Sequence, residues 1–580
     1  MHPESSKKSL KSLEFDLTVP LDEEEVEEAG PVFNKVSPVQ HLKQLKHIVL
    51  LGGPWLLAMP LLRSYGHETR CAGCLIIMAA YWITEVIPLP VTALLPMILF
   101  PILGILPSTA VAKAFINEVT FLFIGGLVVA IAVEKCGLHE RIAFAVLSLV
   151  GSSPKWIMLG FMVVTAILSA FVSNAATTAM MIPVSQAVIT QLFKCYRLRD
   201  KVMGVNHELL NEADEKKQML PSEKRMAKGL VMCICFAANI GGIGTITGTT
   251  PNMVLIGQLG TLYPAVDTGI NYITWMIFCF PLMMICLLIS WVVLYFLFLH
   301  NGPPAADEVT EYVKSRYAAL PGISFAESSV AACFTLLLTL WILPQVAPSL
   351  FSGLEHESFT DATSAVIVAI LLFMLPANMP SISEFFKKEA KKPKKNYARL
   401  LDWPTMEREF PWGVLLLLCG GFALAAGVKE SGLSEYLGRK MAHIAEMPLT
   451  AVQAICMCMT IIVTNICSNT VTVSIFLPVL ATLAEEAQLH PIELMLPMTL
   501  TCSFAFMLPV ATAPNAIAFD SGMFTVYDMI VAGFFVTITT CTTVAAYMSC
   551  FGDLVFGLHP EDFWNATNID NIGTLQASVN

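Results

Sequence analysis

Two copies of one long apolar pattern run through this chain, and the duplication limits its possible folds more than any other feature. The sequence from Phe121 is FLFIGGLVVAIAVEKCGLHE, and from Leu416 it is LLLCGGFALAAGVKESGLSE. Gly125, Gly126, Gly137, Leu138 and Glu140 return as Gly420, Gly421, Gly432, Leu433 and Glu435, each 295 residues on. Without a gap, the same offset carries Ser173 onto Ser468, Asn174 onto Asn469, Thr177 onto Thr472 and Pro183 onto Pro478. A register held over about sixty residues marks an internal duplication, so both halves are committed to one architecture.

Composition then fixes the solvent. Of 580 residues, 55% are hydrophobic and 14% charged, and the mean hydropathy is +0.67. Apolar runs of 16 to 28 residues recur, each long enough to cross a hydrocarbon layer of about 30 Å as a helix. The expected fold class is an all-α polytopic membrane protein. Full crossings are expected near 47–63, 74–89, 91–107, 119–135, 228–261, 272–299, 328–347, 363–377, 412–428, 493–519 and 526–552, eleven in all. The net charge of −11 lies mostly in loops and tails, and no nucleic-acid signature is present. Residues 1–46 are polar, carry an acidic run at 22–28 and lack a signal peptide, which predicts a disordered cytoplasmic tail. Most of the 16 cysteines lie in apolar spans as small hydrophobes. Cys71 and Cys74 form a CxxC with no second pair nearby, which gives neither a metal nor a redox site.

Loop charges set the orientation. The N-terminal tail, the 194–228 loop with nine basic residues and the 378–411 loop with eight, including the run 387–395, are expected in the cytoplasm. That run has the composition of an anionic-lipid contact, although a solvated loop accounts for it as well. No Lys or Arg follows Lys440, and the single sequon, Asn565-Ala566-Thr567, falls in that basic-free tail. Asn565 is therefore expected to be extracellular and glycosylated; Arg63, Arg70 and Lys113 fall on the outer side against the rule.

Two further stretches, 156–193 and 449–484, are uncharged and carry their Ser-Asn pair near the middle. Each arm is slightly short for a full span, so each stretch is expected to be a re-entrant hairpin that turns within the membrane. Lys155, Lys194 and Arg197 flank the first, while Glu446, Glu485 and Glu486 flank the second, so the two open on opposite sides. That makes an inverted repeat, the plan of many secondary transporters. Backbone unwound at that depth is tolerated where it lines a cavity or is buried in protein. A half-helix starting there presents free N–H groups to an anion, while Ser hydroxyls, Asn oxygens and free carbonyls suit a hard cation such as sodium. The competing account is that Ser and Asn are helix N-caps and nothing more.

A second pair of interruptions follows: GTITGTTPN over 244–252 and LPVATAPN over 508–515. Gly248-Thr249-Thr250-Pro251-Asn252 matches Ala511-Thr512-Ala513-Pro514-Asn515 at an offset of 263, the difference being a charged 196–227 loop in the first half only. Matching interruptions in two repeats are the best sequence pointer to a transporter's binding site, whereas a single proline kink would be structural. Glu85 lies within an apolar run without a counterpart in the repeat, and a structural partner role is expected for it. Glu134, Lys135, Lys429 and Glu430 close their helices at the membrane interface.

At these residues the chain resembles the divalent anion:sodium symporter family, which includes the animal sodium-coupled dicarboxylate, citrate and sulfate cotransporters. The paired Ser-Asn motifs, the Thr-Pro-Asn-type breaks, CSFAFMLPVATAPNAIA over 502–518 and MAAYWITEVIPLPVTALLP over 78–96 carry the resemblance, which spans about residues 45–560. It implies a homodimer in the plasma membrane, with a scaffold and a mobile transport domain working as an elevator. The corresponding segments are 1–46 tail, 47–135 scaffold, 136–261 first transport half, 262–428 scaffold with cytoplasmic loops, 429–552 second transport half, and 553–580 extracellular tail. By that resemblance Ser169, Ser173, Asn174 and Gly248 line one sodium site, and Thr464, Ser468, Asn469 and Ala511 the other. Asn174, Thr249, Asn469, Thr470 and Thr512 would hold substrate carboxylates, with Ala175 at the first tip where the family usually has Thr. Ala513 likewise stands where the second break often has Pro.

The function this implies is sodium-coupled uptake of di- and tricarboxylates such as succinate and citrate, with sodium as coupling ion and no cofactor. Ala175 removes a hydroxyl donor, which leaves open sulfate cotransport and sodium-independent exchange. An anion channel is the rival from another class. No His/Asp/Glu cluster of catalytic or metal spacing falls in the spans, so an enzyme is not expected.

Overall fold

Each Ser-Asn stretch folds as two antiparallel helices with a short non-helical tip. The first hairpin consists of Pro154–Ser169 and Asn174–Val202, the second of Leu449–Thr464 and Asn469–Glu486. Each is followed by an interrupted helix. In the first half, Pro221–Gly241 gives way to 3-10 turns at Gly242–Gly244 and Ile246–Gly248 before Thr250–Leu262. In the second half, Pro491–Cys502 passes through an extended stretch and a 3-10 turn at Pro509–Ala511 to Ala513–Asp520. Pro251 and Pro514 sit in the first turn of the resumed helices. There their missing N–H costs nothing and their fixed φ favours the restart.

The computed structural model describes residues 38–151, 153–202, 220–264, 266, 268–300, 307–347, 359–378, 398–437, 439, 446–565 and 567. The charges of the N-terminal tail before residue 38, most of the 196–227 loop, the 387–395 run and Lys440 lie outside them. Residues 50–580 form one compact unit. Helix is the only regular structure among the described residues, with one isolated bridge between Pro376 and Arg399. Seven of the described helices are long and apolar enough to span a bilayer, and shorter apolar helices accompany them. Helix Val526–Phe556 turns Phe534, Phe535 and Ile538 outward. Such a face has no partner among the described residues and suits lipid. The protein is a multi-pass membrane protein.

The core is built by exchange between halves. Pro221–Gly241, whose apolar window is 94% buried, packs on both arms of its own hairpin and on Ala513–Asp520 of the other half. In reciprocal fashion, Pro491–Cys502 packs on both arms of the second hairpin and on Thr250–Leu262. The repeated glycine pairs act in packing. A Cβ at Gly125 would lie 2.6 Å from that of Ala365, and one at Gly420 would lie 2.6 Å from that of Ala93. Neighbouring helices therefore approach at backbone distance in both halves.

Several expected boundaries move. The stretch 91–107 is not one helix but two short ones, Leu89–Thr92 and Leu95–Ile102, because Pro90 and Pro96 each start a new helix. The expected crossing at 363–377 is Asp361–Met374, 14 residues long. The first helix begins at Pro38, inside the stretch expected to be tail. The second arm of the first hairpin runs to Val202, so helix occupies the start of the stretch read as an inserted loop. Arg70, on the wrong side by the charge rule, is engaged locally: it donates to Ser64 O at 2.8 Å and Leu103 O at 2.9 Å.

Candidate substrate and ion site

Both hairpin tips and both breaks open on one cavity of about 500 Å³. Four helices start at its wall, and their first residues, Asn174, Thr250, Asn469 and Ala513, all line it. Each start leaves unpaired backbone N–H groups and the positive end of a helix dipole at the cavity. Of the residues proposed from sequence, Ser173, Asn174, Ala175, Gly248, Thr249, Ser468, Asn469, Thr470, Ala511 and Thr512 line it. Ser169 and Thr464 do not; both are fully buried one layer behind.

Those two occupy matching places. Ser169 Oγ lies 2.6 Å from Asn174 Oδ1 and 2.8 Å from Ala238 O. Thr464 Oγ1 lies 2.7 Å from Asn469 Oδ1 and 2.8 Å from Cys502 O. Each hydroxyl thus ties its tip asparagine to the end of the interrupted helix. At the first break the carbonyls crowd: a Cβ at Gly248 would lie 2.5 Å from Gly242 O and 2.9 Å from Ala170 O. Only glycine fits there without displacing backbone, and Ala170 O also accepts from Thr245 Oγ1. Hydroxyl, amide and carbonyl oxygens gathered around an unwound segment are a donor set for a hard cation.

N-capping accounts for one tip only. The Ala176 N–H donates to Ser173 Oγ at 3.2 Å, whereas Ser468 makes no side-chain cap bond.

Sequence reasoning missed the parts that three kinds of residue play. Asn252 and Asn515 hold the breaks open. Asn252 Nδ2 donates to Gly242 O at 3.1 Å and Thr245 O at 2.8 Å, while Asn515 Nδ2 donates to Ala505 O at 2.7 Å and Leu508 O at 3.0 Å. In both halves the acceptors lie ten and seven residues upstream, so one amide replaces the hydrogen bonds the broken helix gives up. Asn239, on the cavity wall, reaches across the halves to Thr512 Oγ1 and Asn515 Oδ1, each at 3.2 Å; a lone amide in an apolar run was its signal. Glu85, Glu134 and Glu409 also line the cavity.

Glu85 is the left-handed C-cap of helix His67–Thr84, with φ 50°, and is exposed to the cavity. It makes no salt bridge among the described residues, contrary to the structural partner role expected of it. Glu134 is likewise a wall residue, while its neighbour Lys135 pairs with Asp402. Lys429 caps Thr250–Leu262, donating to Leu262 O at 2.5 Å. No Lys, Arg or His lines the cavity among the described residues.

Two repeated hairpins and two repeated helix breaks around one polar cavity, in a multi-pass helical protein, are the construction of a small-solute carrier. The chain belongs to the family described as the sodium:sulfate symporter transmembrane region, which it matches over residues 39–558. The family is one of transporters, not enzymes. The chain is 47% identical to the sodium-dependent high-affinity dicarboxylate transporter 3 of Caenorhabditis elegans, over 92% of each chain. It is 45% identical to the sodium-dependent low-affinity dicarboxylate transporter 1 of the same organism, over 90% of this chain and 93% of the relative. With the Na(+)/citrate cotransporter of Rattus norvegicus it shares 37% identity, over 92% of this chain and all of the relative.

Proposed function

We propose that this protein is a sodium-coupled importer of di- and tricarboxylates such as succinate and citrate. The observation that carries the reading is electrostatic: four helix N-termini face a cavity whose wall, among the described residues, holds three glutamates and no basic side chain. Helix ends favour an anion, each with roughly half a positive charge. They do not neutralise a dianion or trianion beside three carboxylates. Cations bound with the substrate supply the missing charge, so substrate and sodium bind as one set. The relatives' names, sodium-dependent dicarboxylate transporter and Na(+)/citrate cotransporter, agree with this.

The first sodium lies at Ser169, Ser173, Asn174 and Gly248, and the second at Thr464, Ser468, Asn469 and Ala511. The substrate carboxylates lie against Asn174, Ala175, Thr249, Asn469, Thr470 and Thr512. The two hairpins and interrupted helices travel together as an elevator within a homodimer of the plasma membrane, with the N-terminus inside and the C-terminus outside. Uptake of radiolabelled succinate, citrate and sulfate in expressing cells, with sodium replaced by choline, tests the core of the proposal. Succinate or citrate uptake that collapses in choline is expected. Sodium-independent uptake would make the protein an exchanger, preferred sulfate uptake would move the substrate class, and unitary currents would make it a channel.

A further inference from the structure

The two breaks are not locked alike. Ser169 contacts Ala238 O and Thr464 contacts Cys502 O, so the next residues, Asn239 and Ser503, hold equivalent places at the ends of the interrupted helices; the offset there is 264 and not 263, because the first half has one residue more between that point and Gly242 than the second has before Ala505. Asn239 spans the junction between halves and donates to Asn515 Oδ1 at 3.2 Å. The second break is thereby clamped twice over, since Asn515 Nδ2 holds Ala505 O and Leu508 O. The reciprocal packing of half-helices sets Pro491–Cys502, whose C-cap is Ser503, against Thr250–Leu262, which carries Asn252. A serine hydroxyl stops one atom short of an asparagine amide. Asn252 and Ser503 are 0% and 1% exposed, and neither Asn252 Oδ1 nor Ser503 Oγ has a hydrogen-bond partner among the described residues. Ser503 Oγ and Asn252 Oδ1 are thus unpaired buried polar atoms at the positions equivalent to a bonded pair.

We propose that a single water molecule binds between Ser503 and Asn252, accepting the serine proton and donating to Asn252 Oδ1. It fills the place that the Asn239 amide fills in the other half. A hydroxyl with a proton to give and one amide oxygen suit a neutral donor-acceptor, and two oxygens are too few to strip a cation of its hydration. The first break is therefore closed through an exchangeable molecule and the second through a covalently attached one, which makes the first the more yielding.

High-resolution structures of the full chain in lipid nanodiscs, in sodium and in choline, test this without reference to what the protein carries. One density peak within hydrogen-bond distance of both atoms, present in both media, is expected. An empty gap, a direct Ser503–Asn252 bond or a peak seen only in sodium would each overturn the proposal, the last by making the occupant a cation. Ser503→Asn should expel the peak and raise the melting temperature, and Ser503→Val should lower it. Asn239→Ser should create a matching peak beside Asn515 Oδ1. If Ser503→Asn does not fold, that second variant decides alone: no new peak there means the equivalence is wrong.

Discussion

A single hydroxyl does most at Thr464. It holds Asn469 Oδ1 and Cys502 O together behind the second tip, and valine would keep the shape while leaving both acceptors without that donor. An unpaired buried polar group costs about 1–3 kcal/mol. Thr464→Val is therefore expected to raise the sodium concentration for half-maximal uptake about tenfold, with little change in succinate KM at saturating sodium. A rise confined to substrate KM would remove Thr464 from the ion site. The two tips differ in the next residue. Thr470 offers the cavity a hydroxyl as well as an N–H, and Ala175 offers the N–H alone. A hydrogen bond to a charged group is worth roughly 1.5–3 kcal/mol. Thr470→Ala should raise uptake KM at least about tenfold with normal surface expression, and Ala175→Thr should be tolerated and lower KM for some anions. A silent Thr470→Ala would show that its hydroxyl does not meet the substrate.

Among the elements, the hairpins and breaks were legible in the sequence because a fixed offset needs no geometry: Ser169 and Thr464 each stand five residues before their asparagine. The clips made by Asn252 and Asn515 were not legible, since which carbonyls an amide reaches depends on the path of the unwound backbone. Glu134 lies in the last turn of its helix, Glu118–Cys136, as the sequence predicts, but nothing in a linear sequence shows that this helix flanks a cavity. One expected crossing, 91–107, is divided for a related reason: Pro90 and Pro96 each begin a short helix within an apolar run that hydropathy alone reads as continuous. The second interrupted helix also carries a titratable cap. His490 Nδ1 accepts from the Ile492 N–H at 3.3 Å, and burial, with a smaller contribution from His559, holds its pKa down at about 4. The cap needs the neutral ring. Its contribution is fully present above the ordinary histidine value near 6.5 and is lost as pH falls towards 4, up to about 3 kcal/mol. The melting temperature should drop between pH 6.5 and 4.5, and His490→Asn, which keeps an acceptor that does not titrate, should flatten that drop. Identical curves for both proteins would assign the acid loss to other groups.

At the scale of the molecule, the C-terminal segment is fastened to the start of the second interrupted helix. Trp564 Nε1 donates to Leu489 O at 3.1 Å, and Phe563 packs on the His490 ring at 4.6 Å. Asn565, next in the chain, is exposed. If that end is extracellular, as the lack of basic residues after Lys440 suggests, Asn565 carries a glycan. Glycosidase treatment of the expressed protein should then shift it on a gel, and Asn565→Gln should abolish the shift. An unshifted protein whose C-terminal tag is reached only after permeabilisation would reverse the orientation. The four helix starts around the cavity have a further consequence. Their attraction for anions comes from peptide dipoles, which neither gain nor lose protons and have no side chain to be acetylated or cut back by mutation. Acidifying the medium leaves that grip as it was. A change in uptake between neutral and mildly acid conditions therefore reports on groups other than those helix ends, the carboxyls of the solute and of the cavity wall among them.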